Sequence, residues 1–148
     1  MKKISRRARP HTITLYNYIS TTAGAAAYQR TVIQRVCLDK DYQQRLSQRG
    51  VATTDKAQLI IDLRDIEVTA NRIFIEPESW ILLTAQQKAL YFTFQVANDF
   101  FIDGTVTDTL PPKTKAEMQT THRCLSVTST GIPASDSAGP TLLEVTAK

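Results

Sequence analysis

Two histidines and two cysteines are the residues of this chain best suited to holding a metal: His11, His122, Cys37 and Cys124. Two His with two Cys is a zinc donor set, and His122 and Cys124, with one residue between them, share a face of any strand they occupy. His11 and Cys37 lie in separate runs with no zinc-type spacing, so the four do not read as a metal centre. Both cysteines sit in apolar alternating runs, RVCL and HRCLSV, and read as reduced, buried thiols. The carboxylates form two groups, Asp62, Asp65 and Glu67 after one apolar run and Asp99 and Asp103 on either side of FFI. Paired carboxylates can move protons, but no His or Lys accompanies them in sequence, and Asp103-Gly104 is turn chemistry. A glycine-rich phosphate loop and a nucleophile elbow are both missing, and five glycines leave little for a phosphate cradle. The expectation is a protein that is not an enzyme and uses no cofactor and no metal.

Charge is the next clue. The net charge of +4 is concentrated in the leader MKKISRRARP, where Lys2, Lys3, Arg6, Arg7 and Arg9 stand without an acidic residue, leaving 13 basic against 14 acidic residues beyond Pro10. A nearly neutral body behind a local basic cluster points to an arm that touches DNA or an acidic partner, not to a whole face built for nucleic acid. The leader lacks the apolar core of a signal peptide, and no run approaches the ~18 apolar residues of a membrane span. A soluble protein without a membrane partner is expected.

The elements that would position these residues are mostly strands. In HTITLYNYI, Ile13, Leu15 and Ile19 point one way and Thr12, Thr14, Tyr16 and Tyr18 the other, which predicts a half-buried strand. YQRTVIQRVCL places Tyr28, Arg30, Val32, Gln34, Val36 and Leu38 on one face and Ile33 and Cys37 on the other, completing an antiparallel hairpin. DKDYQQRLSQRGVATTDK reads as a polar loop or two helical turns ended by Gly50. Further strands are predicted at AQLIIDL, at RIFIEP up to Pro77, at ALYFTFQV with Leu90, Phe92, Phe94 and Val96 on one face, and at FFI. KTKAEMQTT reads as a short helix or loop, and RCLSVTST and LLEVTAK as a closing hairpin joined by the linker GIPASDSAGP. Trp80 reads as core beside a proline turn, in preference to a partner anchor. The predicted fold is mainly β: a small β-barrel or sandwich of about eight short antiparallel strands, with long polar loops and little helix. Residues 1–10 are assigned to a basic arm and 11–148 to a single β-barrel domain.

Taken in order, His11, Thr12, Ile13, Thr14, Tyr16 and Asn17, then Tyr28, Arg30, Thr31 and Val32, then Pro77 and Trp80, then Asp99, Ile102 and Gly104, and finally Glu144 and Val145 form a pattern. It resembles that of small virion proteins encoded among the head and tail genes of tailed bacteriophages, over roughly residues 10 to 148. Asn98 stands where those relatives carry a glycine, and Cys37-Leu38 where an aromatic is common. The resemblance implies a head-closure (stopper) or head-completion subunit of the neck, located in the virion and in the host cytoplasm during assembly. Such a subunit forms a ring with copies of itself, six- or twelve-fold, below the portal-adaptor proteins. The ring retains packaged double-stranded DNA in its channel and docks a tail terminator or tail-completion protein. Lys2, Lys3, Arg6, Arg7 and Arg9 are then the candidate contacts to DNA or to a partner, and the polar stretches 39–58 and 64–72 the candidate loops to the channel or the next ring.

Two alternatives stand beside that reading. A tail-terminator or tail-completion ring protein would also be small and β-rich. An OB-like single-stranded nucleic-acid-binding module would stack bases on Tyr16, Tyr18, Phe92 and Phe94, but the acidic excess in the body opposes a strand-tracking groove.

Overall fold

A computed structural model describes residues 8–22, 25–47, 50–110 and 112–148. Its strands are β1 (His11–Thr22), β2 (Ala25–Ser47), β3 (Gly50–Asp62), β4 (Glu67–Val68), β5 (Ile73–Phe74), β6 (Tyr91–Phe92), β7 (Phe100–Asp103), β8 (Leu125–Asp136) and β9 (Gly139–Ala147). Three short helices, α1 (Pro77–Trp80), α2 (Ala85–Lys88) and α3 (Lys115–Thr121), complete it. The fold is mainly β, as the alternation predicts.

Hydrogen bonding runs β1-β7-β8-β9-β3-β2 and returns from β2 to β1, so six strands close on themselves. Closure removes the exposed edges that an open sheet would present. The ring is not a regular barrel, because β7 offers only two paired residues to β8, Phe100 and Phe101. Inside it pack Ile13, Leu15, Ile33, Val36, Leu59, Ile61, Phe101, Val127, Leu143 and Val145. A run of tilted and edge-to-face aromatic pairs, Phe74–Phe92, Phe92–Phe94 and Phe94–Phe101, crosses this core with ring centroids 5.8 to 6.3 Å apart. Each fully buried aromatic contributes roughly 2–3 kcal/mol relative to exposure.

The other face of β1 is not solvated. Tyr16 is fully buried, stacked on Phe100 at 5.0 Å, and its hydroxyl donates to Asp108 O (2.7 Å). Ile102, Val106, Leu110 and Met118 finish this second cluster, so the segment after β7, closed by α3, covers what alternation assigned to water. Thr14 fits there because its hydroxyl donates to Gly104 O (2.8 Å) and accepts from Val106 N (2.9 Å).

Three further expectations change. The inward face of β2 switches from Ile33 to Val36 and Leu38, because Arg35 adopts a left-handed φ of 66° where the β1–β2 register shifts. One extra residue in a strand reverses the facing of everything beyond it. DKDYQQRLSQRGVATTDK is not a loop or helix: β2 and β3 pair without interruption from Cys37↔Ile60 to Ser47↔Gly50. GIPASDSAGP is likewise not a linker, since β8 runs to Asp136 and β9 starts at Gly139.

ALYFTFQV is only briefly a strand. Tyr91–Phe92 pair with β5, Phe92 and Phe94 are buried, and Leu90 and Val96 are exposed. Beyond Phe92, side chains take the place of a partner strand. Asn17 Nδ2 donates to Thr93 O (2.6 Å), and Gln95 N donates to Asp99 Oδ2 (2.7 Å).

Candidate assembly surfaces

His11 Nδ1 accepts from Leu38 N (3.1 Å), whereas His122 Nε2 lies 3.5 Å from Asp108 Oδ2. Among the described residues no three His, Cys, Asp or Glu side chains group as a metal would need. Cys37 and Cys124 are free and half-buried, and burial pushes the Cys124 thiol up, which makes it a poor nucleophile. The mass of unreduced protein is expected to show both thiols; a two-hydrogen deficit linking Cys37 to Cys124 would contradict this.

The carboxylates are structural partners of arginines and amides. Asp62, fully buried, accepts from Arg64 Nε (2.9 Å) and Nη2 (3.1 Å) and holds the turn after β3. Asp103 Oδ2 receives Lys40 Nζ at 2.6 Å, tying β7 to β2. Asp99 is fully buried as well. It accepts from Asn17 Nδ2 (2.7 Å), Tyr18 N (2.8 Å), Gln95 N (2.7 Å) and Gln95 Nε2 (3.2 Å), yet burial still pushes its carboxyl up to about 6. A carboxyl so enclosed by its own chain braces β1 against the 93–99 segment.

Of the five basic residues assigned to an arm, Lys2, Lys3, Arg6 and Arg7 lie outside the described residues. Arg9 belongs to the domain itself. Its side chain is 1% exposed and donates to Asp65 O (2.7 Å), Asp65 Oδ2 (3.0 Å) and Arg35 O (3.4 Å). Arg35 reaches the same carboxylate (3.3 Å) and Glu67 (2.8 Å). The left-handed bulge at Arg35 thus aims its guanidinium at the acidic turn, and Asp65 and Glu67 turn out to be anchors. Replacing Arg9 by Ala leaves a buried carbonyl and part of a carboxylate without donors, and is expected to cost about 2–3 kcal/mol in urea unfolding. An unchanged stability would show that the anchor is ornamental.

Two surface features remain. The first is a ribbon. β1 stops pairing with β2 at Val36, and β9 stops pairing with β3 at Ala57, while β2 and β3 continue together to Ser47 and Gly50. Among the described residues the outer part of this hairpin has no strand on either side. It projects on the order of 25 Å at the usual rise per residue.

The second is an apolar shelf on the excursion between β5 and β6. Ile73 is 65% exposed, Ile81 68%, Leu82 82% and Leu90 62%. Ile73 N donates to Leu90 O (3.2 Å), and Ile73 pairs with Tyr91 across the two strands. Pro77 starts α1 at its first turn, and Thr84 caps α2 through a capping box with Gln87, so the Ile81–Leu82 turn between them is fixed in place. Trp80 is buried beneath, with Lys88 Nζ 5.3 Å from its ring centroid, in agreement with a core role. An open cleft of roughly 620 Å³, lined by Ile66, Glu67, Val68, Ile73 and Phe74, adjoins the shelf at Ile73. The run WILL was the available sequence signal for this shelf, and a search for strand alternation passes over it.

A closed, irregular antiparallel barrel with a projecting ribbon and an apolar shelf is thus the class of molecule that the fold defines. The chain belongs to a family of unknown function, DUF6751, whose model matches residues 9–133. Comparison with curated proteins and with solved structures gives no match. No helix among the described residues is long and apolar enough to cross a membrane.

Proposed function

We propose that the protein is a structural subunit of a tailed-phage neck, forming a ring below the portal and its adaptor that closes the DNA exit channel and receives the tail. The observation that carries this reading is the ribbon. A two-stranded hairpin is marginal alone in water, and its open edges invite a further strand. A barrel that extends such a ribbon past its own sheet is suited to seat it on a neighbour. Repeated head-to-tail, that contact makes a ring when the rotation closes.

The barrel supplies the stiff wall. The residues that carry the phage resemblance support a role as bracing rather than chemistry: Asn17 and Asp99 bond each other, Thr14 holds Gly104 and Val106, Arg30 Nε donates to Val106 O, and Thr31 Oγ1 accepts from Arg72 Nη1 (2.9 Å). In the assembled ring the charges of Lys2, Lys3, Arg6 and Arg7 would be multiplied at one rim, where DNA or an acidic portal-side surface would meet them.

Mass photometry of the purified protein, alone and mixed with the portal-adaptor complex of the same phage, tests the reading. A monomer that joins in six or twelve copies only in the mixture is expected. Binding to the tail tube in place of the portal-adaptor complex would reassign the protein as a tail terminator, and association with neither would remove the neck reading.

A further inference from the structure

β4 and β5 follow one another in the chain, joined by residues 69–72, yet they do not pair: β4 lies at the edge of the barrel sheet beside β2, and β5 pairs only with β6. The open cleft of roughly 620 Å³ is lined by both strands and by Asn71 and Arg72 of their connection. Its apolar lining continues the core, since Leu63, Ile66, Val68 and Phe74 are half-buried and pack against the barrel cluster. Ile73 N donates to Leu90 O (3.2 Å) and Ile75 N to Phe92 O (2.9 Å). The amide and carbonyl of Phe74, between them, therefore face the other edge of β5, where no strand lies among the described residues. A strand inserted between β4 and β5 needs them roughly 10 Å apart, a gap that a connection of this length can bridge.

The connection closes one end of the cleft, and a cation stands there. Ala70 (φ 58°) and Asn71 (φ 52°) are consecutive left-handed residues without a glycine, a kind of backbone outlier that clusters at ligand clamps. They lead into Arg72, whose Nε donates to Ala89 O (3.1 Å) and whose Nη1 donates to Arg30 O (2.7 Å) and Thr31 Oγ1 (2.9 Å). Nη2 has no partner and the guanidinium no carboxylate among the described residues, while burial and then the charge of Arg30 push it below the ordinary arginine value. Glu67, the acidic residue of the lining, is already engaged by Arg35 (2.8 Å).

We propose that this cleft receives the C-terminal strand of a partner protein, an extended segment with apolar side chains at alternate positions, its backbone pairing with Phe74 and its terminal carboxylate on Arg72. Strand addition supplies main-chain hydrogen bonds, the apolar lining takes alternate side chains, and a fixed guanidinium recognises the carboxylate. The closed end favours a chain terminus, because an internal segment would have to run on through residues 69–72. The proposal does not rest on the neck reading.

The test is an array of short synthetic peptides with free C-terminal carboxylates, carrying Val, Ile, Leu or Phe at the last and third-last positions and varied elsewhere, probed with the full-length protein beside the same array ending in amides. Acid-ended peptides are expected to bind, and their amides about tenfold more weakly, which tests the carboxylate on the unaltered protein. With the tightest peptide, Arg72→Gln should weaken binding by about tenfold as well, methylation of the peptide's backbone amides should abolish it, and the Phe74 amide should exchange more slowly in the complex. Equal binding of acids and amides would make the cleft a site for internal segments, and an array without binding would show that it takes no peptide end; either result overturns the proposal. Binding that leaves exchange at Phe74 unchanged would overturn it too. Self-association of the protein that the peptide displaces would assign the cleft to a second copy and equally overturn it.

Discussion

Asp99→Ala is expected to unfold about 3–4 kcal/mol more easily than wild type at pH 7.5, with Tm lower by roughly 10 °C. The substitution removes the acceptor of Asn17 Nδ2, Tyr18 N and both Gln95 donors at a site with no exposure. Unmade bonds to buried donors cost more than the net value of the bonds themselves. The effect is structural, and the junction of β1 with the 93–99 segment should be the part that loosens, seen as faster amide exchange at Tyr18 and Gln95. A loss below about 1 kcal/mol would mean that the site relaxes and the bracing role is wrong.

The same residue sets a pH dependence. Burial pushes its carboxyl up to about 6 in the folded protein, against about 3.9 for a free aspartate. A folded pKa above the unfolded one means that the folded state keeps the proton longer. The contribution of this group is therefore most favourable below about pH 3.9 and is lost as pH rises through about 6, a change of about 3 kcal/mol. The difference in urea stability between wild type and Asp99→Asn isolates that contribution, because the arginine-paired carboxylates are common to both. It should move against wild type between pH 4 and 7 and level off above; a constant difference would contradict the shift.

The second large effect is on assembly. Joining Lys40 to its partner Ala57 through an Asn-Gly turn removes the ribbon beyond the last rung of the barrel and supplies the turn that a short hairpin favours. Among the residues whose burial is described, the barrel core contains none between Leu38 and Ala57, and Tm is expected to stay within about 3 °C of wild type. Ring formation on the portal-adaptor complex, measured by native mass spectrometry, should fall by more than tenfold, because avidity around a ring multiplies the loss of each contact. Rings at the wild-type level would show that the ribbon is not the subunit contact.

How far the sequence was legible follows from what makes strands alternate. Alternation appears where one face meets a core, and it placed β1, the first half of β2, the end of β3 and β9 correctly. The outer half of β2 and β3 has no barrel beside it among the described residues, so DKDYQQRLSQRGVATTDK carries no such pattern and reads as loop. The outer β8–β9 hairpin is hidden in the same way by Gly, Pro and Ser at exposed positions. Burial on both faces misleads in the opposite sense: Thr14 and Tyr16 look like a solvated face because their polar atoms are satisfied by Gly104, Val106 and Asp108 inside the protein. A single left-handed residue, Arg35, reversed the facing of Val36 and Leu38 with no glycine to announce it. Of the candidate residues, Arg9 was legible as a charge but not as a buried anchor, since its partner Asp65 is 56 residues away.

Cryo-electron microscopy of the neck, in virions or reconstituted from the portal, its adaptor and this protein, would decide whether the barrel is a ring subunit. Six or twelve copies of the barrel are expected around the channel axis, directly below the adaptor, each with its β2–β3 ribbon against the next copy. Particles without the protein, or a single copy lying off the axis, would contradict it.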